Sequence, residues 1–257
     1  MSVPRLKILH VVFSLEPGGM ENGLVNVARG LNREEFEVYV CCLDRGGAFV
    51  ERLPEPSNVF ILGRQQGFSM KTVMGLKQIL RQLKPDVIHT HNLGPLIYAS
   101  LATNFGVSFP ILHGEHGVLP PEQCTWKPVL ERKLLYRTCT AIHTVSAGQR
   151  VQLEALGLPL AKLSVLVNGV DTQRFSPGCR LTARKETCLP EDALLIGIVG
   201  RFVALKRHVE LFEAFEKLGT EFPQAHLLVV GGGGADQEKI MHRAKSNKFA
   251  ERIHMVG

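Results

Sequence analysis

The sequence predicts an α/β protein built from two parallel-sheet domains, the second of them incomplete. Three observations carry that expectation. Short apolar runs of strand length alternate with amphipathic runs of helical period along most of the chain. The strand runs are nearly continuous in hydrophobic residues, as strands covered on both faces should be. A polar stretch then interrupts the rhythm at 168–190, after which strands and helices resume.

Taken in order, Lys7–Ser14 is a buried-strand run that ends in Glu16-Pro17-Gly18-Gly19. Met20–Leu31 follows, with Leu24, Val27, Ala28 and Leu31 on one helical face. Phe36–Leu43, rich in Val and Cys, and the short Val59–Leu62 are the next strands. Lys71–Leu83 is a helix that stops at Lys84-Pro85, because the residue before a proline is pushed out of helical geometry. Asp86–Thr90, Phe109–His113, Ala141–Val145 and Leu163–Val167 are strands, separated by helices over Leu96–Asn104, Lys127–Arg137 and Gly148–Leu156.

Asn168–Leu189 holds Pro177-Gly178, few apolar residues and no period, and reads as a linker. Beyond it, Leu194–Val199, Ala225–Val230 and Arg252–Val256 are strands, with helices over Arg207–Leu218 and Gln237–Lys245. That makes about three strands where a doubly wound domain has five or six. Domains are therefore expected at 1–167 and 191–257, joined by a linker at 168–190.

Composition narrows the class. With 45% hydrophobic and 21% charged residues the chain can bury a core and is not disordered. A net charge of +6 suits anionic partners, but the basic residues are scattered and no polybasic arm occurs, so no nucleic-acid partner is expected. The six cysteines form no C-x-x-C pair and read as free thiols of a reducing compartment. The apolar stretch before Phe13 is too short and too polar for a signal peptide, and no run approaches the ~20 residues of a membrane helix. A cytoplasmic protein is expected, with peripheral contact to the inner face of a membrane left open.

Ligands of such sheets bind at the carboxyl ends of the strands, so the turns there are where chemistry is sought. After the first strand, Gly18-Gly19-Met20-Glu21-Asn22-Gly23 lets backbone approach a phosphate at a helix N-terminus. It is not the G-x-G-x-x-G spacing of a dinucleotide site, although Asp44 stands where a ribose-binding acid would. A tight turn without ligand is the plain alternative.

His89 and His91 bracket one strand end and His113 and His116 follow another, so all four would cluster if those strands are neighbours. A metal site is one reading. With no recognised ligand spacing and Glu115 the sole carboxylate beside them, no metal is expected. His89 is read as a satisfied core residue and His116, in a glycine-flanked loop, as a hydrogen-bonding group for a polar substrate. In the second domain, Gly200-Arg201 ends a strand and Lys206 opens a helix, a cationic cradle suited to a diphosphate. Gly231–Gly234 is a further close-approach turn.

Four ordered segments carry a family resemblance. Gly18-Gly19-Met20-Glu21 looks like a G-G-x-E loop and Val87-Ile88-His89-Thr90-His91 like a V-I-H-x-H strand end. Asn168-Gly169-Val170-Asp171-Thr172-Gln173-Arg174-Phe175 is similar to an N-G-V-D-x-x-x-F signature, and Gly200-Arg201 with Lys206 to G-R-x-x-x-x-K. Together they resemble the retaining glycosyltransferases of family 4, whose GT-B fold has two facing Rossmann-like domains. Glu21–Asn26 and His113-Gly114-Glu115-His116-Gly117 look like a subgroup of exopolysaccharide sugar transferases associated with exosortase.

The resemblance implies a UDP- or GDP-linked sugar as donor, a glycan or lipid-linked acceptor, and no cofactor. Arg201 and Lys206 would hold the donor diphosphate from one side and Gly18 and Gly19 from the other. His116 would stand near the reacting sugar as the catalytic residue, and Glu21, His91 and Asn168 would touch substrate. Front-face departure and attack, without a metal, would retain the anomeric configuration. The family's E-x(7)-E glutamates have no counterpart before Gly257, so this chain alone is expected to be inactive. A non-catalytic binding or regulatory protein and a dinucleotide-dependent oxidoreductase are the competing readings.

Overall fold

The computed structural model describes residues 4–256; residues 1–3 and 257 of the expected domains lie outside it. The chain divides into two compact units, one ending at Phe175 and one beginning at Ser176.

The first unit contains seven strands: β1 (Leu6–Val12), β2 (Phe36–Cys42), β3 (Val59–Ile61), β4 (Val87–His91), β5 (Ile111–Glu115), β6 (Ala141–Thr144) and β7 (Leu163–Val165). All pair in parallel, in the order β3-β2-β1-β4-β5-β6-β7. The chain winds outward one way through β3, then returns to the middle and winds the other way. Between β1 and β4 it leaves a crevice, the usual ligand position in such sheets.

Helices α1 (Gly19–Gly30), α2 (Met70–Leu83), α3 (Leu93–Ala102), α4 (Trp126–Leu135) and α5 (Ala147–Ala155) make the crossovers. Apolar residues at helical spacing fix α2: Val73, Leu76, Ile79, Leu80 and Leu83 pack with Leu9, Val11 and Ile88 of the sheet. Ser69 caps its start by accepting a 3.2 Å hydrogen bond from Thr72 N, and Lys84 ends it in the left-handed conformation.

Two strands run further than their composition suggests. β4 includes His91 and β5 includes Gly114 and Glu115, which read as loop because a glycine and an acid are poor strand formers. Both are accommodated by partners described below.

The second unit is a three-stranded parallel sheet in the order β10-β9-β8 (Ile253–Val256, Ala225–Val230, Leu194–Val199). Its helices are α6 (Arg180–Glu186), α7 (His208–Glu221) and α8 (Gln237–Lys245). Phe212, Phe215, Leu227, Val229 and Ile240 form its core. Within its unit the strand order repeats that of β1, β2 and β3.

Helix α6 lies in the stretch read as linker. It shows no apolar period because its anchor is polar: the buried Arg184 guanidinium donates to the carbonyls of Pro190, Glu191 and Ala193, the last two at 2.8 Å. Among the described residues, no helix is long and apolar enough to cross a membrane.

Candidate functional site

Side chains two apart on a strand share a face of the sheet. In β1, β4 and β6 that rule sends His10, His89, His91 and His143 to one face, beside the crevice. His10 is the register partner of His89, His91 of Gly114, and Gly114 of His143. His116, just beyond β5, folds back onto the same face.

Ring contacts tie the group together. His10 Nδ1 lies 3.0 Å from His91 Nε2, His91 Nδ1 2.8 Å from His116 Nε2, and His89 Nε2 2.9 Å from His143 Nε2. Gly114 makes room for this. A Cβ on it would meet His116 Nε2 and His143 Nε2, both at 2.6 Å. Asn92 Oδ1 accepts from His116 N at 3.1 Å and holds the loop in place.

Burial keeps these rings neutral. It lowers His10 to about 4, with His116 adding to the effect, and His116 to about 4, with His143 and His113 adding. Burial first, then the neighbouring imidazoles, push His89 and His91 well below the usual range. Three buried ring nitrogens, His10 Nε2, His116 Nδ1 and His143 Nδ1, have no partner among the described residues.

The expected set of four is thus corrected. His113 points to the opposite face, where its Nδ1 meets Thr90 Oγ1 at 2.9 Å. His10 and His143 take its place; both were unremarked in the sequence because one histidine in an apolar strand reads as core. His89 is no sealed core residue either, since it is half-buried and lines the cavity.

On that opposite face, Glu115 is neutralised. Its Oε1 accepts from Arg132 Nε at 2.7 Å and from the Tyr136 hydroxyl at 2.9 Å, with His113 Nε2 at 3.4 Å. Burial alone pushes the carboxyl up, but His113 and the Arg132 guanidinium outweigh it and hold Glu115 at about 2.

The five imidazoles line one wall of a cavity of about 820 Å³ within the first unit. Apolar residues of β1, β4 and α1 (Ile8, Val87 and Val27) and the segment from Leu166 to Phe175 line the rest. Asn168 borders it and approaches α1, its Oδ1 being 4.0 Å from the position of a Cβ on Gly23. His91, His116 and Asn168 therefore share one cavity. Gly18, Gly19 and Glu21 do not line it; they form the start of α1. Gly18 is extended, Gly19 faces open space, and Glu21 Oε2 reaches back to 2.1 Å from where a Gly18 Cβ would stand. Asp44, the candidate ribose acid, is occupied by a two-point pair with Arg64 at 2.7 and 3.0 Å.

In the second unit the chain leaves β8 through Gly200. The stem of Lys206 lies over Gly200, with Cγ and Cδ at 3.4 Å from a Cβ position there. Gly231, at φ +135°, passes so close that a Cβ would stand 2.2 Å from the Gly200 carbonyl oxygen. Phe202 N donates to Gly233 O at 2.8 Å, so the glycine turn braces this loop. Arg201 and Lys206 are exposed, and neither has an ion-pair partner among the described residues. Helix α7 opens at Arg207, itself left-handed at φ 56°, with no side-chain cap. His208 is buried beside it with both ring nitrogens unpartnered.

Solved structures share this architecture. The chain matches Anabaena HepE, crystallised with UDP and glucose, at a TM-score of 0.80 and 20% identity, over 98% of this chain and 69% of that one. Sucrose-phosphate synthase of Thermosynechococcus elongatus matches at 0.72 and 18% identity, over 98% and 70%. A UDP-GlcNAc 2-epimerase of Neisseria meningitidis also matches, at 0.62 and 16% identity over 98% and 72%, so the fold by itself does not name the reaction. The class is an α/β protein with the GT-B fold.

Sequence then gives the family. The model for Glycosyltransferase Family 4 matches residues 17–174, and that for Glycosyl transferases group 1 matches residues 180–257. The chain belongs to Glycosyltransferase Family 4. It is 30% identical to a D-inositol 3-phosphate glycosyltransferase of Stackebrandtia nassauensis, over 61% of this chain and 39% of that protein. To the UDP-Gal:alpha-D-GlcNAc-diphosphoundecaprenol alpha-1,3-galactosyltransferase of Escherichia coli it is 24% identical, over 98% of this chain and 69% of that one. The chain thus matches 39% of the length of the first of these relatives and 69% of the second.

Proposed function

We propose that this chain carries the acceptor-side domain and part of the donor-side domain of a retaining glycosyltransferase of polysaccharide synthesis. The donor is a UDP- or GDP-linked sugar and the acceptor a glycan or a lipid-linked saccharide. One observation carries the reading: two cations without an ion-pair partner among the described residues, Arg201 and Lys206, follow Gly200 on the segment that leads through a 3-10 turn (Ala204–Lys206) into α7 at His208. Positive side chains at a helix N-terminus oppose the helix dipole unless an anion sits between them. A leaving diphosphate is such an anion, and preorganised cations and N–H groups stabilise the charge it gains in the transition state. Anabaena HepE with UDP and glucose, and the Escherichia coli relative with its diphosphoundecaprenol acceptor, favour a UDP-sugar and a lipid-linked acceptor here.

Gly18 and Gly19, at a helix start without a side-chain cap, would serve a donor phosphate. His116, neutral at pH 7, serves the reacting sugar as a hydrogen-bonding group rather than as a charged acid, with Glu21, His91 and Asn168 contacting substrate. A lipid-linked acceptor calls for peripheral contact at the inner face of the membrane. Trp126, Leu130 and Leu134 fit that role, exposed at four-residue spacing along α4 beside Lys127 and Lys133.

Calorimetry with UDP and with GDP tests the reading. Removing one charge-assisted contact costs ~1.5–3 kcal/mol, so Arg201→Ala should weaken nucleotide binding roughly 10- to 100-fold. Unchanged affinity in Arg201→Ala, or preferential binding of NAD, would overturn it.

A further inference from the structure

We propose that His10, His89 and His91 form a binding site for a divalent late-transition-metal ion, of which Zn²⁺ is the type. One ring nitrogen of each lies within 4.8 Å of the others. Ring centroids are 5.0 Å apart for His10 and His89, 5.2 Å for His10 and His91, and 4.2 Å for His89 and His91. The fold fixes this trio: His10 and His89 are paired across adjacent parallel strands, and His91 is the next residue on the same face of β4.

The chemistry of the group favours a metal over a purely hydrogen-bonded cluster. Five imidazoles crowd together with no carboxylate among them, since Glu115 is taken by Arg132 on the other face. Neutral imidazole is the ligating form, and three of these rings lie close enough for one ion to bridge them. The hydrogen bonds within the cluster still leave His10 Nε2, His116 Nδ1 and His143 Nδ1 buried without partners, a condition native interiors rarely keep.

Tetrahedral zinc with Zn–N bonds of 2.0–2.1 Å sets its ligand atoms about 3.3 Å apart. The His10–His91 contact of 3.0 Å is therefore a few tenths of an ångström from a ligand pair. His116 and His143 stand within hydrogen-bond reach of this trio, as a further ligand or as its outer shell. An all-imidazole set selects zinc, copper, nickel or cobalt and rejects magnesium and calcium, which require oxygen ligands. The trio shares His91 and neighbours His116, both read above as substrate contacts, whereas Arg201 and Lys206 belong to the other unit, so zinc titration and nucleotide titration separate failure of this proposal from failure of that reading.

The test is titration of Zn²⁺ alone into the full chain, stripped with EDTA and dialysed, followed by calorimetry and thermal unfolding. One Zn²⁺ per chain and a rise in Tm are expected, with no response to Mg²⁺. His10→Ala and His91→Ala, checked for folding by circular dichroism, should each weaken zinc at least about 100-fold, the upper end of what losing even an outer-shell partner costs. His226→Ala should leave the affinity unchanged; it removes the other close histidine pair, 2.9 Å from His254 in the second unit. Should His10→Ala not fold, the half-buried His89→Ala replaces it, and the wild-type Tm shift remains as a second readout. Absence of zinc binding, more than one equivalent site, or affinity retained in the folded trio variants would overturn the proposal.

Discussion

The two faces of the sheet at the ends of β4 and β5 carry buried polar groups of opposite character. On one, Glu115, Arg132, Tyr136 and His113 balance charge and share hydrogen bonds around a single carboxylate oxygen. On the other, five imidazoles bond among themselves, and three of their buried nitrogens lack partners among the described residues. The neighbouring residues Glu115 and His116 take opposite sides. A network that satisfies itself belongs to the scaffold; one that leaves buried nitrogens unpartnered carries the cost of unmet hydrogen bonds.

The largest expected effect separates the two faces by stability. Arg132→Ala leaves the Glu115 carboxylate buried and unpaired, which costs ~3–5 kcal/mol, and urea denaturation should show that loss. His143→Ala, removing a ring with one partnerless nitrogen, should cost well under half as much. Equal costs would break the contrast.

Next comes acid. Glu115 is held at about 2 against an ordinary 4.5, so its contribution is complete above pH 4.5 and is lost as pH falls toward 2. The shift corresponds to about 3 kcal/mol. The stability difference between wild type and Glu115→Gln, followed by urea midpoints across pH 7 to 3, should shrink below 4.5. A difference flat with pH would remove Glu115 from its charged role.

A smaller effect sharpens the other side. Gly114→Ala forces a methyl between His116 and His143, an overpacking worth ~1–3 kcal/mol. It should shift the histidine ring signals of those two residues in NMR spectra while leaving the Tyr136 ring unmoved.

Much of this was legible in the sequence. Each expected strand has its counterpart, because apolar runs bounded by glycine, proline and polar turns are local signals. The turn after β8 was equally local, with Gly200, Arg201 and Lys206 inside seven residues. The imidazole face was only half legible. His89, His91 and His116 are marked by spacing, but His10 joins them through a crossover of the chain from β3 back to β4, which no local pattern reveals. His10 and His143, each a single histidine inside an apolar strand, were the available signal for the rest. Helix α6 escaped for the opposite reason. Arg184, a residue that normally marks the surface, is its buried anchor.

The central position of β1 has a consequence in time. It is synthesised before the other described strands of its unit, yet its partner β4 lies far along the chain; Lys7 N waits for Asp86 Oδ2, 79 residues later. At the usual ~5–20 residues per second of synthesis, that wait is roughly 4–16 s. For those seconds an apolar strand stands with one edge open, which makes the nascent chain of this unit a natural client for chaperones that shield hydrophobic segments.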